Sequence, residues 1–358
     1  MVRVLIVEDS YVSRELLKYI FSKDGGIEVI GMVSRGEEAL KFLESMKPDK
    51  PDVITMDIEM PGLDGYTTTR RIMETRPIPI VIISVGFQYP SAEKTFKAMQ
   101  AGAVAAVGKP PAPTHPDFAT KSLEITGLIK AMAKVPVVRR YTNIPRPSVT
   151  PTPETAVIKK NQNYKMVVIG ASTGGPPVLQ TILSRLPKPF PLPIVIVQHI
   201  ASGFASSLAE WLSNTCRMNV TLAEENTIPL PGIAYIAPHG GHTIISNSGA
   251  FALEKPTEKE ILVPAVNPLF KSASTIFGAS CIGILLTGMG KDGAEGLLDL
   301  KNAGALTIIQ DKVTSIVYGM PREAEKLGAA QLILPPEEIA SALEKIGKKL
   351  DQEANNGK

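Results

Sequence analysis

Short apolar runs separated by stretches with helical spacing constrain this chain more than any other feature. Residues 2–7 (VRVLIV), 53–56 (VITM) and 80–84 (IVIIS) hold too few polar positions to alternate between a wet and a dry face. They read as buried parallel strands, and the alternation with helices predicts a doubly wound α/β domain. Its last helix is expected from about Pro116 to Lys134, with Phe118, Leu123, Ile125, Leu128, Ile129 and Met132 mostly on one side. Residues 139–163 (RRYTNIPRPSVTPTPETAVIKKNQN) then change character: they are rich in Pro, Thr and Ser and poor in large apolar side chains, as in an extended linker. Apolar runs resume at 166–169, 194–197 and 282–286. A second, mostly parallel α/β domain is therefore expected. The boundaries are 1–138 for the first domain, 139–163 for the linker, 164–350 for the second domain and 351–358 for a disordered tail.

Composition enters where it excludes functions. A chain of 358 residues that is 44% hydrophobic can bury two sizeable cores. Its formal charge of +3 gives no strong pull toward nucleic acid or a membrane surface. Cys216 and Cys281 stand far apart in apolar surroundings, outside any CxxC pair, as reduced core thiols do. The apolar stretch at the N-terminus is too short for a signal peptide, and no run reaches about 18 apolar residues. A soluble, cytoplasmic protein with no direct membrane insertion is expected.

Glu8 and Asp9 follow the first strand, and Asp57 follows the run VITM. Ligands of open parallel sheets gather at the carboxyl ends of strands, so the three carboxylates can share one crevice. They repel one another unless a cation joins them, and oxygen-only ligands favour Mg²⁺. With the metal present, Asp57 can accept a phosphoryl group in line. Ser84 can donate a hydroxyl to the phosphoryl oxygens, and Lys109 can supply a point charge. Taken one at a time, such residues are often mere helix caps or surface decoration; together in this order they are not. The pattern resembles the receiver domain of two-component response regulators over residues 1 to about 134. The resemblance implies a (βα)5 fold and a histidine kinase as phosphodonor. Many receivers carry an aromatic residue three positions before the lysine, where this chain has Ala106.

In the second domain, Gly170-Ala171-Ser172-Thr173-Gly174 fits G-x-S-x-G in the context of strand, turn and helix. The helix that follows (PPVLQTILSRL) opens on prolines, which a first turn tolerates. Its N-terminal N–H groups are expected to face whatever Ser172 touches, an oxyanion or equally a phosphate. A base separates the two readings. His199 ends the run PIVIVQH and so shares the carboxyl edge with Ser172, whereas His239 and His242 flank a Gly-Gly turn and read as structural, surface or a weak metal pair. Of the aspartates after residue 160, only Asp292 sits in a Gly-rich loop directly after an apolar run, where it can orient an imidazole or simply cap the next helix. The uncrowded Met289 amide offers an oxyanion donor. The order Ser, His, Asp differs from the Ser, Asp, His order of ordinary α/β-hydrolases.

The segments IGASTGGP, VIVQHI, LPGIAYIAPHGGH, ILLTGMGKDGAEGL and VYGMPREA, spread over about 165–335 behind a receiver, closely resemble the chemotaxis protein-glutamate methylesterase family, CheB. The resemblance implies a triad of Ser172, His199 and Asp292, with Thr173 and Met289 lining the site. It also implies a phosphorylation-regulated esterase without a cofactor of its own. Methyl-accepting chemoreceptors are the implied substrates, and a chemotaxis histidine kinase is the implied partner. Some members also deamidate receptor glutamines. Where the family often reads R-P-S-V-D, this chain has Val263-Pro264-Ala265-Val266-Asn267. A DNA-binding response regulator would instead need a helix-turn-helix with a basic recognition helix, and residues 164–350 show Gly-rich turns and buried strands.

Overall fold

Residues 1–46, 50–84, 92–135, 137, 163–200, 204–257, 260 and 262–356 are described by the structure, a computed structural model. The expected linker at 139–163 lies, but for its last residue, outside them. The chain divides into two compact units, Met1–Ile144 and Pro145–Lys358.

The first unit is built from β1 (Val2–Val7), β2 (Ile27–Val33), β3 (Val53–Met56), β4 (Ile80–Ser84) and β5 (Ala105–Gly108). They alternate with α1 (Tyr11–Lys23), α2 (Gly36–Ser45), α3 (Gly65–Thr75), α4 (Ala92–Ala101) and α5 (Phe118–Met132). All pairings are parallel, in the order β2-β1-β3-β4-β5. Every side chain of β3 and β4 is buried, which is why those runs carry no alternation. The strand order reverses between β1 and β3, so their carboxyl ends open a crevice there. Helix α5 buries Ile125, Thr126, Ile129 and Met132. Leu123, expected on the same side, is 73% exposed, because the buried stripe runs through 125, 129 and 132 and carries position 123 out to solvent.

The second unit has a seven-stranded sheet in the order β14-β13-β12-β6-β7-β9-β8, again parallel throughout. Its strands are β6 (Met166–Ala171), β7 (Ile194–Gln198), β8 (Asn219–Leu222), β9 (Ile233–Ile236), β12 (Cys281–Leu285), β13 (Leu306–Gln310) and β14 (Leu332–Leu334). An antiparallel hairpin of β10 (His242–Ile245) and β11 (Phe251–Glu254) stands apart from it. The helices are α6 (Gly175–Leu183), α7 (Phe204–Thr215), α8 (Val266–Phe277), α9 (Ala294–Asn302), α10 (Met320–Lys326) and α11 (Pro336–Asn356). Phe251, Val266, Leu269, Phe270, Leu285 and Leu297 join one core between the sheet, the hairpin, α8 and α9. Chain order reverses at β6, which lies between β7 and β12, so the carboxyl ends of these three strands form the second crevice. The expected disordered tail is corrected at its start: α11 runs on to Asn356, with Lys349 Nζ 3.5 Å from Glu353 Oε1 one turn on.

Candidate functional site

The first crevice gathers the acidic residues. Glu8 and Asp57 are 1% and 4% exposed at the ends of β1 and β3, Asp9 is exposed beside them, and carboxylate oxygens of all three lie within 4.8 Å of one another. Asp57 is pinned from two sides. Its N–H donates to Val7 O at 2.9 Å, and its Oδ1 accepts from Ile58 N at 2.7 Å. Lys109 Nζ donates to Glu8 Oε1 and to Asp57 Oδ2, each at 2.8 Å. Burial works to lower the Lys109 ammonium, but the two carboxylate bonds outweigh it and hold the pKa above its ordinary value. Burial pushes the Glu8 carboxyl up; Lys109 opposes this and the Asp57 charge adds to it. Glu8 Oε2 is buried with no hydrogen-bond partner among the described residues. An all-oxygen donor set with one orphaned carboxylate oxygen fits a hard divalent cation. Ser84, 2% exposed, ends β4 beside Gly108 in register, and Lys109 N donates to its carbonyl at 3.2 Å. Ala106 packs partly buried against the receiver core, opposite Ile82.

The second crevice brings Ser172, His199 and Asp292 to one edge. Ala171 and Gln198 are register partners of β6 and β7, so Ser172 and His199 each follow directly on a paired strand end, and His199 N donates to Ala171 O at 2.9 Å. His199 Nε2 lies 2.8 Å from Asp292 Oδ2, with both side chains 10% exposed. Asp292 does not cap α9, whose N-cap is Gly293 with no side-chain bond. It instead accepts the first amides of α8: Val266 N donates to Oδ2 at 2.6 Å and Asn267 N to Oδ1 at 3.0 Å. Burial works to raise this carboxyl, but the His199 bond and the two amides prevail and leave its pKa below the ordinary value. An ionised Asp292 at Nε2 fixes the proton there and leaves Nδ1 as the lone-pair nitrogen. Ser172 Oγ makes no hydrogen bond among the described residues; such bonds commonly tighten only when substrate arrives.

The amides around Ser172 differ from the expectation. Two of the first α6 positions are Pro176 and Pro177, which have no N–H, and Gly175 N donates to Ser172 O at 2.8 Å. The helix therefore presents few donors to the hydroxyl. Among the described residues, the N–H groups that meet no protein acceptor include those of Thr173, next to the serine in the chain, and Met289, next to Gly288, which packs on Ser172. Buried side chains hold them there. Thr287 Oγ1 donates to Thr173 O at 3.0 Å and accepts from Val317 N at 3.0 Å, while Gln310 Oε1 accepts from Thr287 N at 2.8 Å. Gly288 touches the serine so closely that an added Cβ would stand 2.6 Å from Ser172 Cβ and would overlap Met320 Sδ. Gly288→Ala is expected to destabilise the unit by about 1–3 kcal/mol and to cut ester turnover by about 10²-fold, checked by thermal melts and a methanol assay.

The two histidines of the Gly-Gly turn part company. His239 is exposed, whereas His242 begins β10 at 2% exposure, where Nδ1 accepts from Ala265 N at 3.0 Å and Nε2 is 3.5 Å from Glu260 Oε2. Both cysteines are free thiols, Cys281 fully buried. The residues that sequence reasoning missed are Gln198, Thr287, Gln310 and the amides of Val266 and Asn267. A polar residue closing a mostly apolar run is the signal for the first three: Gln198 and Gln310 end β7 and β13, and Thr287 follows β12 by two residues.

A parallel sheet with acids at one switch point, and a second with a serine, a histidine and a pinned aspartate at another, define a response regulator whose output is a hydrolase-type α/β domain. A profile of the response regulator receiver domain matches residues 4–115, and one of the CheB methylesterase matches residues 167–343. A relative from Syntrophus aciditrophicus (strain SB), called protein-glutamate methylesterase/protein-glutamine glutaminase 1, is 44% identical over 97% of this chain and 98% of its own length. One from Geobacter metallireducens with the same designation, numbered 4, is 44% identical over 96% and 98%. The crystal structure of the Thermotoga maritima CheB methylesterase catalytic domain is 40% identical, covers 51% of this chain and 98% of that one, and has a TM-score of 0.50. The chain belongs to the CheB family of protein-glutamate methylesterases/protein-glutamine glutaminases.

Proposed function

We propose that this protein hydrolyses glutamate methyl esters on methyl-accepting chemoreceptors, releasing methanol, under control of phosphorylation at Asp57. The observation that carries the chemistry is the His199–Asp292 contact of 2.8 Å at the edge where Ser172 follows β6. As substrate settles, Ser172 Oγ attacks the ester carbonyl and gives its proton to His199 Nδ1, while Asp292 holds Nε2–H and stabilises the imidazolium. The Thr173 and Met289 amides receive the oxyanion. Collapse expels methanol with the proton from Nδ1, and water then releases the glutamate by the same path in reverse. An amide differs only in its leaving group, and the relatives' joint designation makes glutamine deamidation the second reading. Assaying methanol from methyl-esterified receptors beside ammonia from their glutamine forms tests both. Release of neither overturns the esterase reading.

The proposed boundaries are those of the sequence reading: receiver 1–138, linker 139–163 and catalytic domain 164–350. Within the receiver, Glu8, Asp9 and Asp57 hold Mg²⁺, Ser84 and Lys109 bind the phosphoryl oxygens, and a chemotaxis histidine kinase is the donor. Bound there, Mg²⁺ supplies the positive charge against which an incoming phosphoryl group is neutralised. Lys109 is already poised for this, because its ammonium reaches Asp57 Oδ2 directly. Asp57→Asn is expected to take up no label above background from acetyl phosphate, and chelating Mg²⁺ should have the same effect on the parent chain. Stable label in Asp57→Asn would place the acceptor elsewhere. Action at the cytoplasmic side of the receptors is part of the same proposal; no helix among the described residues is long and apolar enough to cross a membrane.

A further inference from the structure

Gln198 is buried at 3% exposure where the reacting strands end, and the triad chemistry does not use it. It closes β7, one residue before His199 and in register with Ala171, one residue before Ser172. Its Nε2 has two N–H bonds, and each finds a carbonyl: Ser172 O at 2.9 Å and His199 O at 2.8 Å. One carboxamide thus joins the backbone of the nucleophile to that of the base. Ser172 O also accepts from Gly175 N at 2.8 Å, so the elbow is gripped from two directions.

The other end of the carboxamide shows that this is a fitted arrangement rather than a convenient one. Gln198 Oε1 is buried with no hydrogen-bond partner among the described residues, a costly state that buried amides normally avoid. It rests against the Cα of Gly175, where any Cβ would overlap it. A glycine at the first position of α6 is what leaves room for the amide to turn its N–H groups toward the two carbonyls.

We propose that Gln198 is a positioning residue for the esterase reaction, a clamp that sets the separation of Ser172 Oγ and the His199 imidazole. The inference rests on the esterase reading given above. Because reacting groups misplaced by about 1 Å can lose about 10²-fold in rate, loosening the clamp acts on the chemical step and leaves substrate binding alone.

The test uses the full chain, methyl-esterified receptor and a fluorophosphonate that labels an activated serine. Gln198→Met keeps the length and removes the donors; Gly175→Ala keeps the glutamine and pushes it aside. Both are expected to lower turnover per labelled site by roughly 10- to 100-fold with KM within about twofold of the parent. A merely structural role would lower the labelled fraction and leave turnover per labelled site unchanged, and that result in both variants overturns the clamp. A Gln198→Met change confined to KM overturns it as well. A parent chain that neither turns over ester nor labels at Ser172 sinks the esterase reading and the clamp together, whereas an active parent beside equally active variants sinks the clamp alone.

Discussion

Replacing Ser172 by alanine is expected to lower methanol release by about 10⁴-fold or more while leaving the fold intact. The side-chain hydroxyl makes no hydrogen bond among the described residues, so its loss breaks none, and alanine keeps the Cβ that packs beside Gly288. A melting temperature equal to the parent's beside absent turnover is the expected pair of results. His199→Ala should fall as far, because without the imidazole no base stands at the strand edge. Removing both should cost little more than removing one, since the two act as a unit. Parent-like turnover in Ser172→Ala would show the nucleophile to be elsewhere.

Asp292→Asn is expected to cost about 10³- to 10⁴-fold in kcat. The carboxylate accepts three hydrogen bonds, from His199 Nε2 and from the Val266 and Asn267 amides. Val266 N meets Oδ2 beside His199 Nε2 while Asn267 N meets Oδ1, so an asparagine with its oxygen toward Asn267 places its NH₂ where Oδ2 stood. Its NH₂ then meets Nε2 and favours the tautomer with the proton on Nδ1, which cannot take a proton from serine. The same substitution should alter the acid limb of stability. The folded-state pKa of Asp292 is lowered, so its contribution is present above its ordinary pKa of 3.8 and lost as pH falls through the lower folded value. Asp292→Asn should remove that share of the pH dependence, seen in melts from pH 6 downward. Unchanged kcat would mean that α8, and not Asp292, orients the base.

What the sequence made legible was the local chemistry of strand ends. The runs 2–7, 53–56 and 80–84 are strands β1, β3 and β4 with those same bounds, because sheets buried on both faces leave unbroken apolar stretches. Ser172, His199 and Asp292 could be singled out because few residues of their kinds stand beside such runs. The partners that give Asp292 its charge and aim were hidden, since backbone amides of α8 have no sequence signature. The peptide Val263–Asn267, which departs from the family's usual residues, still delivers two of its amides to Asp292. The substitution there changes side chains while the contact uses backbone. The α6 donors were overestimated for the opposite reason: the pattern G-x-S-x-G invites a helix N-terminus, but Pro176 and Pro177 lack the N–H groups that the pattern assumes. Gln198 and Gln310 close their strands with no motif to mark them, although a buried carboxamide must find partners and here finds them at the site.

The most direct measurement is to trap the covalent intermediate. Full-length protein, mixed with a methyl-esterified receptor peptide and quenched in acid during the first turnover, would be digested with trypsin and the peptide spanning residues 166–185 sequenced by mass spectrometry. The account predicts that this peptide carries the receptor glutamyl group, minus methanol, on Ser172 and not on Ser184. Methanol released in the first turnover with Ser172 unmodified, or with the acyl group on another residue, would contradict it.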